Sequence, residues 1–563
     1  MSKIVLVSGH ICSGKSNLSG KLSARFGFES VKTSDVVRGI AERDAGQVDR
    51  ESLQKLGDQL DLDTKGGWVL EAVNRLLSSK PGVNVVVDAV RISAQVERFR
   101  EEFGPQVVHV HLWASEDTLQ SRFEERKKQG READALMTYA RANLNKTEKE
   151  VDYLEREADL SVNTDKSDVQ DTFTRVAARL GLFADLTGRA VDVVIGGQYG
   201  SEGKGQIAAY LSREYDVLVR VGGPNAGHSV KSLTGKYVYH HLPSGSRDSE
   251  GIILIGPGAV INPQGILKEI DECGLKPGRV FIDPQAMVIS KEDVLQEQRT
   301  VVGTISSTGT GTGNALARKI LHRGERTQIV ARDYAELQPF IGETFEQLER
   351  AFAAGKRVLL EGTQGSGLSI HHGTYPHVTS RDTNVAGCLA EAGIAPSRVG
   401  HVILVVRTYP IRVADPEPTP GVFEKIAHYA VVKLRGELES NQQPTSGRLK
   451  QEITFAEVAR RAELDAENVE SAEITSTTKR KRRVGEFEWD QFRKACALNG
   501  PTDLAITFAD YISARNREAR RYEQLTPETI QWVEELERVA HAPASLISTR
   551  FSERAIIDRR NWT

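Results

Sequence analysis

Residues Val191–Tyr210, VDVVIGGQYGSEGKGQIAAY, restrict what this chain can fold into more than any other stretch. Four of the first five residues are Val or Ile, as in a short buried strand. Five glycines follow at Gly196, Gly197, Gly200, Gly203 and Gly205, and a helical pattern opens at Ile207. Glycines between a strand and a helix let the backbone turn tightly and aim its N–H groups at an anion, and the helix N-terminus adds a partial positive charge. Phosphate is the expected guest, with Lys204 as a mobile cation in the cradle. Gly205 follows Lys204 where a P-loop has Ser or Thr, and Gln198 takes the place of that motif's first Gly, so this is a different phosphate loop. A strand, phosphate loop and helix in that order belong to an α/β fold.

The N-terminus carries a second loop of a better-known kind. Lys3–Val7 reads as a buried strand, and Gly9–Ser16, GHICSGKS, matches GxxxxGK[ST] in full. Backbone amides around Gly9, Ser13 and Gly14 would hold the phosphates of ATP, Lys15 would reach the β- and γ-phosphates, and the Ser16 hydroxyl would ligate Mg²⁺. Leu18, Leu22 and Phe26 then recur on one helix face. The apolar strand Val85–Val87 ends in Asp88 with Arg91 close behind; the carboxylate suits a metal or a substrate hydroxyl, and the guanidinium suits a phosphate. Asp35 and Arg38 form a second acid and base pair, and Arg122 and Arg126 stand at i and i+4 on an expected helix. This group of motifs resembles the nucleoside monophosphate kinase and dephospho-coenzyme A kinase group, which implies an acceptor site at Asp35, Arg38, Asp88 and Arg91 and a lid at Arg122 and Arg126. A strand, turn and closing helix over residues 158–182 end this part, so domains are expected at 1–185 and 190–563, both three-layer α/β/α units in tandem.

Composition narrows the class. With 74 basic against 77 acidic residues the net charge is −3, so no global field argues for nucleic acid or an anionic membrane. The four cysteines, Cys12, Cys273, Cys388 and Cys496, have no CxxC spacing and suit reduced thiols in a cytoplasmic protein. No apolar run approaches the roughly 18 residues of a membrane span, and MSKIVLVSG leads straight into a polar loop, leaving no room for a signal-peptide apolar region.

Downstream of Tyr210 a series of motifs follows in one order: RVGGPNAGHS from Arg220, HLPSG from His241, STGTGTGNALARK from Ser307, EGTQG from Glu361, HGTYPHVTS from His372, TSTTKRKRRVG from Thr475 and LIST from Leu546. Together with the Val191–Tyr210 loop they resemble the adenylosuccinate synthetase family, from about Val191 to the C-terminus. That family joins L-aspartate to C6 of a 6-oxopurine nucleotide while cleaving GTP, with Mg²⁺, as a homodimer. The resemblance implies that His228, Lys204 and Gln364 are catalytic and that Gly227 gives a backbone carbonyl to Mg²⁺. It places the purine nucleotide against Asn225, Thr308, Arg323, Gln364, Thr379 and Arg480, and aspartate against Thr478 and Arg480. The NTP would meet Gly200, Glu202, Gly203, Lys204, Gly205, Arg482, Asp510 and Ser548. A basic run such as Lys479–Arg483 is usually a solvated patch; here the resemblance gives it carboxylates and phosphates to bind, although Lys481 stands where the family usually has Pro.

Three positions depart from the family pattern. Ser201 replaces the Asp that serves as general base and metal ligand, and losing a positioned base typically costs about 10²–10⁴-fold. The smaller side chain leaves room for an exocyclic 2-amino group, and a Ser here resembles the viral 2-aminoadenylosuccinate synthetase branch, which takes dGMP. The guanine-reading Lys-x-Asp becomes Phe508-Ala509-Asp510 and the final Ser-Thr-Gly becomes Ser548-Thr549-Arg550, which leaves both GTP and ATP open as donor. His322-Arg323 stands where the family has Arg-Arg. The expectation is a ligase for (d)GMP in preference to IMP, fused to a nucleotide kinase. Two alternatives stay open: an IMP enzyme with Glu202 or substrate phosphate as base, and a nucleotide sensor without turnover.

Overall fold

The computed structural model describes residues 2–45, 50–129, 138–139, 146–183, 188–232, 235–324, 329–414, 445–475 and 479–560. By their internal contacts they fall into two compact units, Met1–Phe183 and Ala184–Thr563. Both are α/β, and each is organised on a mainly parallel sheet.

The first unit has five parallel strands, which lie side by side in the order Glu29–Lys32, Val85–Asp88, Ile4–Ser8, Val107–Trp113, Leu160–Asn163. The central strand is fully buried because helices cover both faces: Ile4 and Leu6 pack with Trp68, Val69 and Phe99 on one side, and Val5 and Val7 pack with Leu18, Leu22 and Phe173 on the other. This explains the unbroken apolar run of its sequence. The loop after it enters the helix Lys15–Phe26 at Gly14 (φ 102°), and the helix stops at Gly27 (φ 68°), both in the left-handed region that favours glycine. Asp168 caps the closing helix Val169–Arg179 by accepting from the amides of Gln170 and Asp171.

The second unit is built on nine strands. In spatial order they begin at Val280, Ile252, Val217, Val358, Val191, Val399, Asp503, Ala544 and Ile556. Only the last pairing, Ala544–Ser548 with Ile556–Asp558, is antiparallel. The strand Val191–Gly196 sits in the middle, with Val193 and Ile195 in one core and Val194 in the other. Since its neighbours run parallel, the carboxyl ends of the strands carrying Gly196, Arg220, Glu361, Arg407 and Thr507 meet along one edge. Open parallel sheets bind ligands at that edge. A hairpin, His228–Lys231 with Lys236–Tyr239, and an antiparallel trio of Ile411–Val413, Arg482–Gly485 and Glu452–Ile453 flank it. Among the described residues no helix is long and apolar enough to cross a membrane.

Phe173 is 1% exposed and stacks on Phe26 with ring centroids 5.8 Å apart. Phe173→Ala is expected to cost about 3–5 kcal/mol, measured as a shift in the denaturant midpoint of the first unit's unfolding.

Candidate active site

The glycine loop of the second unit is shaped from inside. Glu202 has no exposed surface; its Oε1 accepts from the amides of Gln198 (3.1 Å) and Gly200 (2.8 Å), and its Oε2 accepts from Lys204 Nζ (2.7 Å). The Thr507 hydroxyl donates to the Glu202 carbonyl at 2.6 Å. The resemblance counts Glu202 among the donor-binding residues, but its carboxylate is turned into the loop and does not line the cavity. Both of its oxygens are in use. Gly200 (φ 89°) and Gly203 (φ 87°) take left-handed conformations, and so does Ser201 (φ 56°), which costs a residue with a Cβ some strain. Gly205 is glycine for a different reason: a Cβ there would lie 2.7 Å from His228 Cβ and 3.0 Å from Ser244 Oγ. Close packing against His228 forbids the Ser or Thr of a P-loop.

This loop forms one wall of a cavity of about 1020 Å³. Gly200, Ser201, Gly203, Lys204 and Gly205 contribute to it, as do Asn225, Gly227, His228, Thr308, Gln364 and Thr379. His228 Nδ1 lies 2.5 Å from Glu361 Oε1, and Glu361 also accepts from the Ser244 amide (2.6 Å) and hydroxyl (2.7 Å). Burial, and after it the Arg220 charge, pushes His228 down to about 4. Burial pushes Glu361 up, but His228, Arg220 and the Ser244 amide outweigh it and hold the carboxyl at about 2. At neutral pH the ring is therefore neutral, with its proton on Nδ1 facing the carboxylate and the Nε2 lone pair free to act as an acceptor. Asn225 Nδ2 reaches the Thr379 hydroxyl at 3.5 Å, while Asn225 Oδ1 is buried with no hydrogen-bond partner among the described residues.

The cavity is also lined by Arg482, Phe508, Asp510 and Ser548. Asp510 is 4% exposed and paired through Oδ2 with Arg517 Nε at 3.1 Å; its Oδ1 has no partner among the described residues. Ser548 Oγ donates to the Arg550 carbonyl at 3.0 Å. Ser201 Oγ accepts from Arg482 Nη2 and Ser201 O from Arg407 Nη1, each at 3.3 Å.

In the first unit Lys15 Nζ donates to the carbonyls of Gly9 (2.7 Å) and His10 (2.6 Å), arching over the loop whose phosphates it would meet. Gly9 cannot carry a Cβ, which would sit 2.1 Å from the Leu112 carbonyl. The Ser16 hydroxyl donates to Asp88 Oδ2 at 2.8 Å, a pair of hard oxygens beside a phosphate loop that fits Mg²⁺. Ser13 Oγ is buried without a partner among the described residues. Arg122 reaches the Cys12 carbonyl (3.5 Å) and Thr164, and Arg126 reaches Cys12 Sγ at 3.5 Å, so both approach the loop from the helix Glu116–Lys128. Asp35 and Arg38 form an exposed pair at 3.8 Å, and the Arg91 amide donates to Gln95 Oε1.

Comparison with known proteins decides what the second unit is. A family model described as adenylosuccinate synthetase matches residues 193–336 and 330–517. The adenylosuccinate synthetase of Pyrococcus horikoshii is 33% identical over 380 residues, 66% of this chain and 98% of the relative; that of Methanocaldococcus jannaschii is 32% identical over 378 residues, covering 66% and 96%. The chain belongs to the adenylosuccinate synthetase family. Two solved structures share the fold of its synthetase part. The fully ligated Plasmodium falciparum adenylosuccinate synthetase has a TM-score of 0.54 at 19% identity and covers 66% of this chain and 100% of its own. The cyanophage S-2L succinoaminodeoxyadenylate synthetase, bound to dGMP and to dATP as an energy donor, has a TM-score of 0.51 at 24% identity and covers 66% and 96%. Residues 5–150 match a model described as an AAA domain. The protein is thus an adenylosuccinate synthetase-type ligase fused to a kinase-like P-loop domain.

Not every expected residue of this synthetase reaches the cavity. Arg480 is half-buried off its wall, with Nη1 lacking a hydrogen-bond partner among the described residues; Arg323 is exposed and away from it; Thr478 lies outside the described residues. Conversely, Glu361, Ser244, Arg407 and Glu473 escaped the sequence reading as site residues. Glu361 had a signal as the first residue of EGTQG, and Ser244 as the fourth of HLPSG; Arg407 and Glu473 had none.

The pKa directions give a pH dependence. Burial lowers His228 from 6.5 in the unfolded chain, so its contribution is complete above pH 6.5 and is lost as pH falls toward 4; the lowered Glu361 adds to the loss below pH 4.5. The Tm of the synthetase unit is expected to fall as pH drops from 6.5 to 4. His228→Asn should flatten this part of a Tm against pH series.

Proposed function

We propose that the synthetase unit joins L-aspartate to C6 of a 2-amino-6-oxopurine nucleotide, dGMP or GMP, using an adenine nucleotide as donor, and that the P-loop unit is an ATP-dependent kinase for a related purine monophosphate. The observation that carries this reading is Ser201. Its side chain lies on the cavity wall in a conformation set by Glu202 and Thr507, and it is neutral and short where the family has a carboxylate. An Asp there would sit against a 2-amino group; a serine leaves space and can accept from it. The likeness to a cyanophage enzyme with dGMP bound is in keeping with this.

The chemistry follows from the poor leaving ability of the C6 oxygen. Phosphoryl transfer from the donor to O6 turns it into phosphate, which the aspartate amine then displaces. Lys204 and the loop amides would hold the transferring phosphoryl group, Gln364 would contact O6, and Thr308 and Thr379 would hold the substrate phosphate. The His228–Glu361 pair fixes the ring orientation beside them. The cation of Arg482 next to Ser201 favours negative charge developing on the base, which lowers the need for the missing carboxylate. Glu202 is a poor candidate for that role, because Lys204 and two amides occupy it. Gly227 would offer a neutral carbonyl oxygen to Mg²⁺, which suits a metal held mainly by substrate phosphates. When bound, Mg²⁺ neutralises the donor phosphates.

The donor reading rests on Asp510. Reading guanine through N1–H and the 2-amino group asks for both carboxylate oxygens, and Arg517 occupies Oδ2. The buried Oδ1 can accept one N–H, as the adenine amino group provides. A homodimer follows from the family resemblance, with His322 standing where the family's first arginine reaches the nucleotide of a second copy.

Mass spectrometry of reactions containing L-aspartate, Mg²⁺, ATP or GTP, and IMP, GMP or dGMP tests the proposal. A succinyl adduct of dGMP or GMP with ATP is expected. An adduct with IMP alone, or none at all, overturns it. Ser201→Asp is expected to lower dGMP turnover at least about 10²-fold and to gain turnover of IMP. Lys15→Ala should abolish phosphoryl transfer to a purine monophosphate while leaving adduct formation intact.

A further inference from the structure

Beneath Ser201 lies a charge cluster of which the steps above use only Arg482. Glu473, 2% exposed, accepts through Oε1 from Arg407 Nη2 (2.8 Å) and the Tyr511 hydroxyl (2.9 Å), and through Oε2 from Arg482 Nη1 (2.8 Å). Burial alone would raise its carboxyl; the Arg407 and Arg482 charges hold it down, at about 2, so it is ionised. The second arm of each arginine goes to the same residue, Arg407 to the Ser201 carbonyl and Arg482 to the Ser201 hydroxyl. The Arg407 guanidinium, with no exposed surface, also lies 4.2 Å from the centre of the Phe508 ring, which lines the cavity. Glu473 and Arg482 flank the base of the segment that carries Arg480, which is closed by the Thr475 amide donating to the Arg480 carbonyl and the Arg480 amide donating to the Thr475 hydroxyl.

We infer that Glu473 is a positioning residue for the synthetase reaction: it holds Arg482 on the Ser201 hydroxyl and, through Arg407, ties the Ser201 loop to the Phe508 wall. The inference rests on the reaction proposed above. Two guanidiniums around one carboxylate leave one net positive charge, and both guanidiniums point at Ser201. In the family pattern a carboxylate at this position would cancel the excess charge; with Ser201 the charge remains available to the base. Glu473 lines the cavity, but both of its oxygens are taken by Arg407, Tyr511 and Arg482, so its removal should misplace Arg482 without emptying the purine site.

The test is Glu473→Gln, which keeps the side chain's size. The expected result is a fall in kcat on the order of 10²-fold, the scale of a small misplacement of catalytic groups, with KM for dGMP within about threefold. Combined with Ser201→Ala, the two losses should not multiply, since residues acting through one contact are not additive. Multiplying losses overturn the inference. Glu473→Gln also leaves Arg407 buried and unpaired, so Arg407→Met/Glu473→Gln is made alongside it; replacing both members of a buried pair by neutral groups of similar size commonly restores stability. Recovery of Tm without recovery of kcat supports the positioning role, and recovery of both shows that Glu473 serves stability alone. Failure of the reaction itself is distinguishable, because the wild-type protein then forms no adduct. In that event ATP binding is measured by calorimetry in the full chain carrying Lys15→Ala, which silences the P-loop site. Glu473→Gln is then expected to weaken ATP binding at least about tenfold, and unchanged binding overturns the link to the Phe508 wall.

Discussion

The buried contact between Glu202 and Lys204 sets the synthetase site. A carboxylate without exposed surface is costly unless every oxygen is matched, and here one oxygen takes two loop amides while the other takes the ammonium. The result is a loop whose shape exists before any phosphate arrives. The lysine is held at the cavity wall by the same group that bends the backbone. Preorganisation of this kind avoids reorganising charges during the reaction. The strand Val191–Gly196, central in its sheet, gives the loop a rigid origin, and Thr507 on another strand pins it from the opposite side.

Around that loop the other groups arrive from separate strands. Arg220 and Glu361 end two parallel strands, Arg407 and Thr507 end two more, and His228 begins a hairpin. Each reaches the same edge because parallel strands place their carboxyl ends together. The P-loop unit repeats the scheme on a smaller sheet, where Ser16 follows one strand and Asp88 ends its neighbour.

Much of this was legible in the chain. Apolar strand, glycine loop and helix mark both glycine loops, since backbone that must turn tightly leaves its mark as glycine at fixed positions. Motif order located His228, Gln364, Thr308 and Thr379 on one cavity before any coordinates. What stayed hidden was the wiring behind these residues. Glu473 and Arg407 are separated by 66 positions and meet only because the sheet brings them together; no local spacing announces such a pair. Glu202 shows the same limit: its place in the loop suggests a ligand contact, and only the fold shows its carboxylate taken by Lys204 and two loop amides.

The same turn bears on how such a site can change its substrate. Ser201 contributes its side chain to the cavity, whereas the shape of the loop is imposed by Glu202 and Thr507, neither of them dependent on what residue 201 carries. Recognition and architecture are thus assigned to different atoms of one short segment. An exchange at residue 201 changes the chemistry offered by the cavity wall while the hydrogen bonds of Glu202 and Thr507 that shape the loop stay as they are.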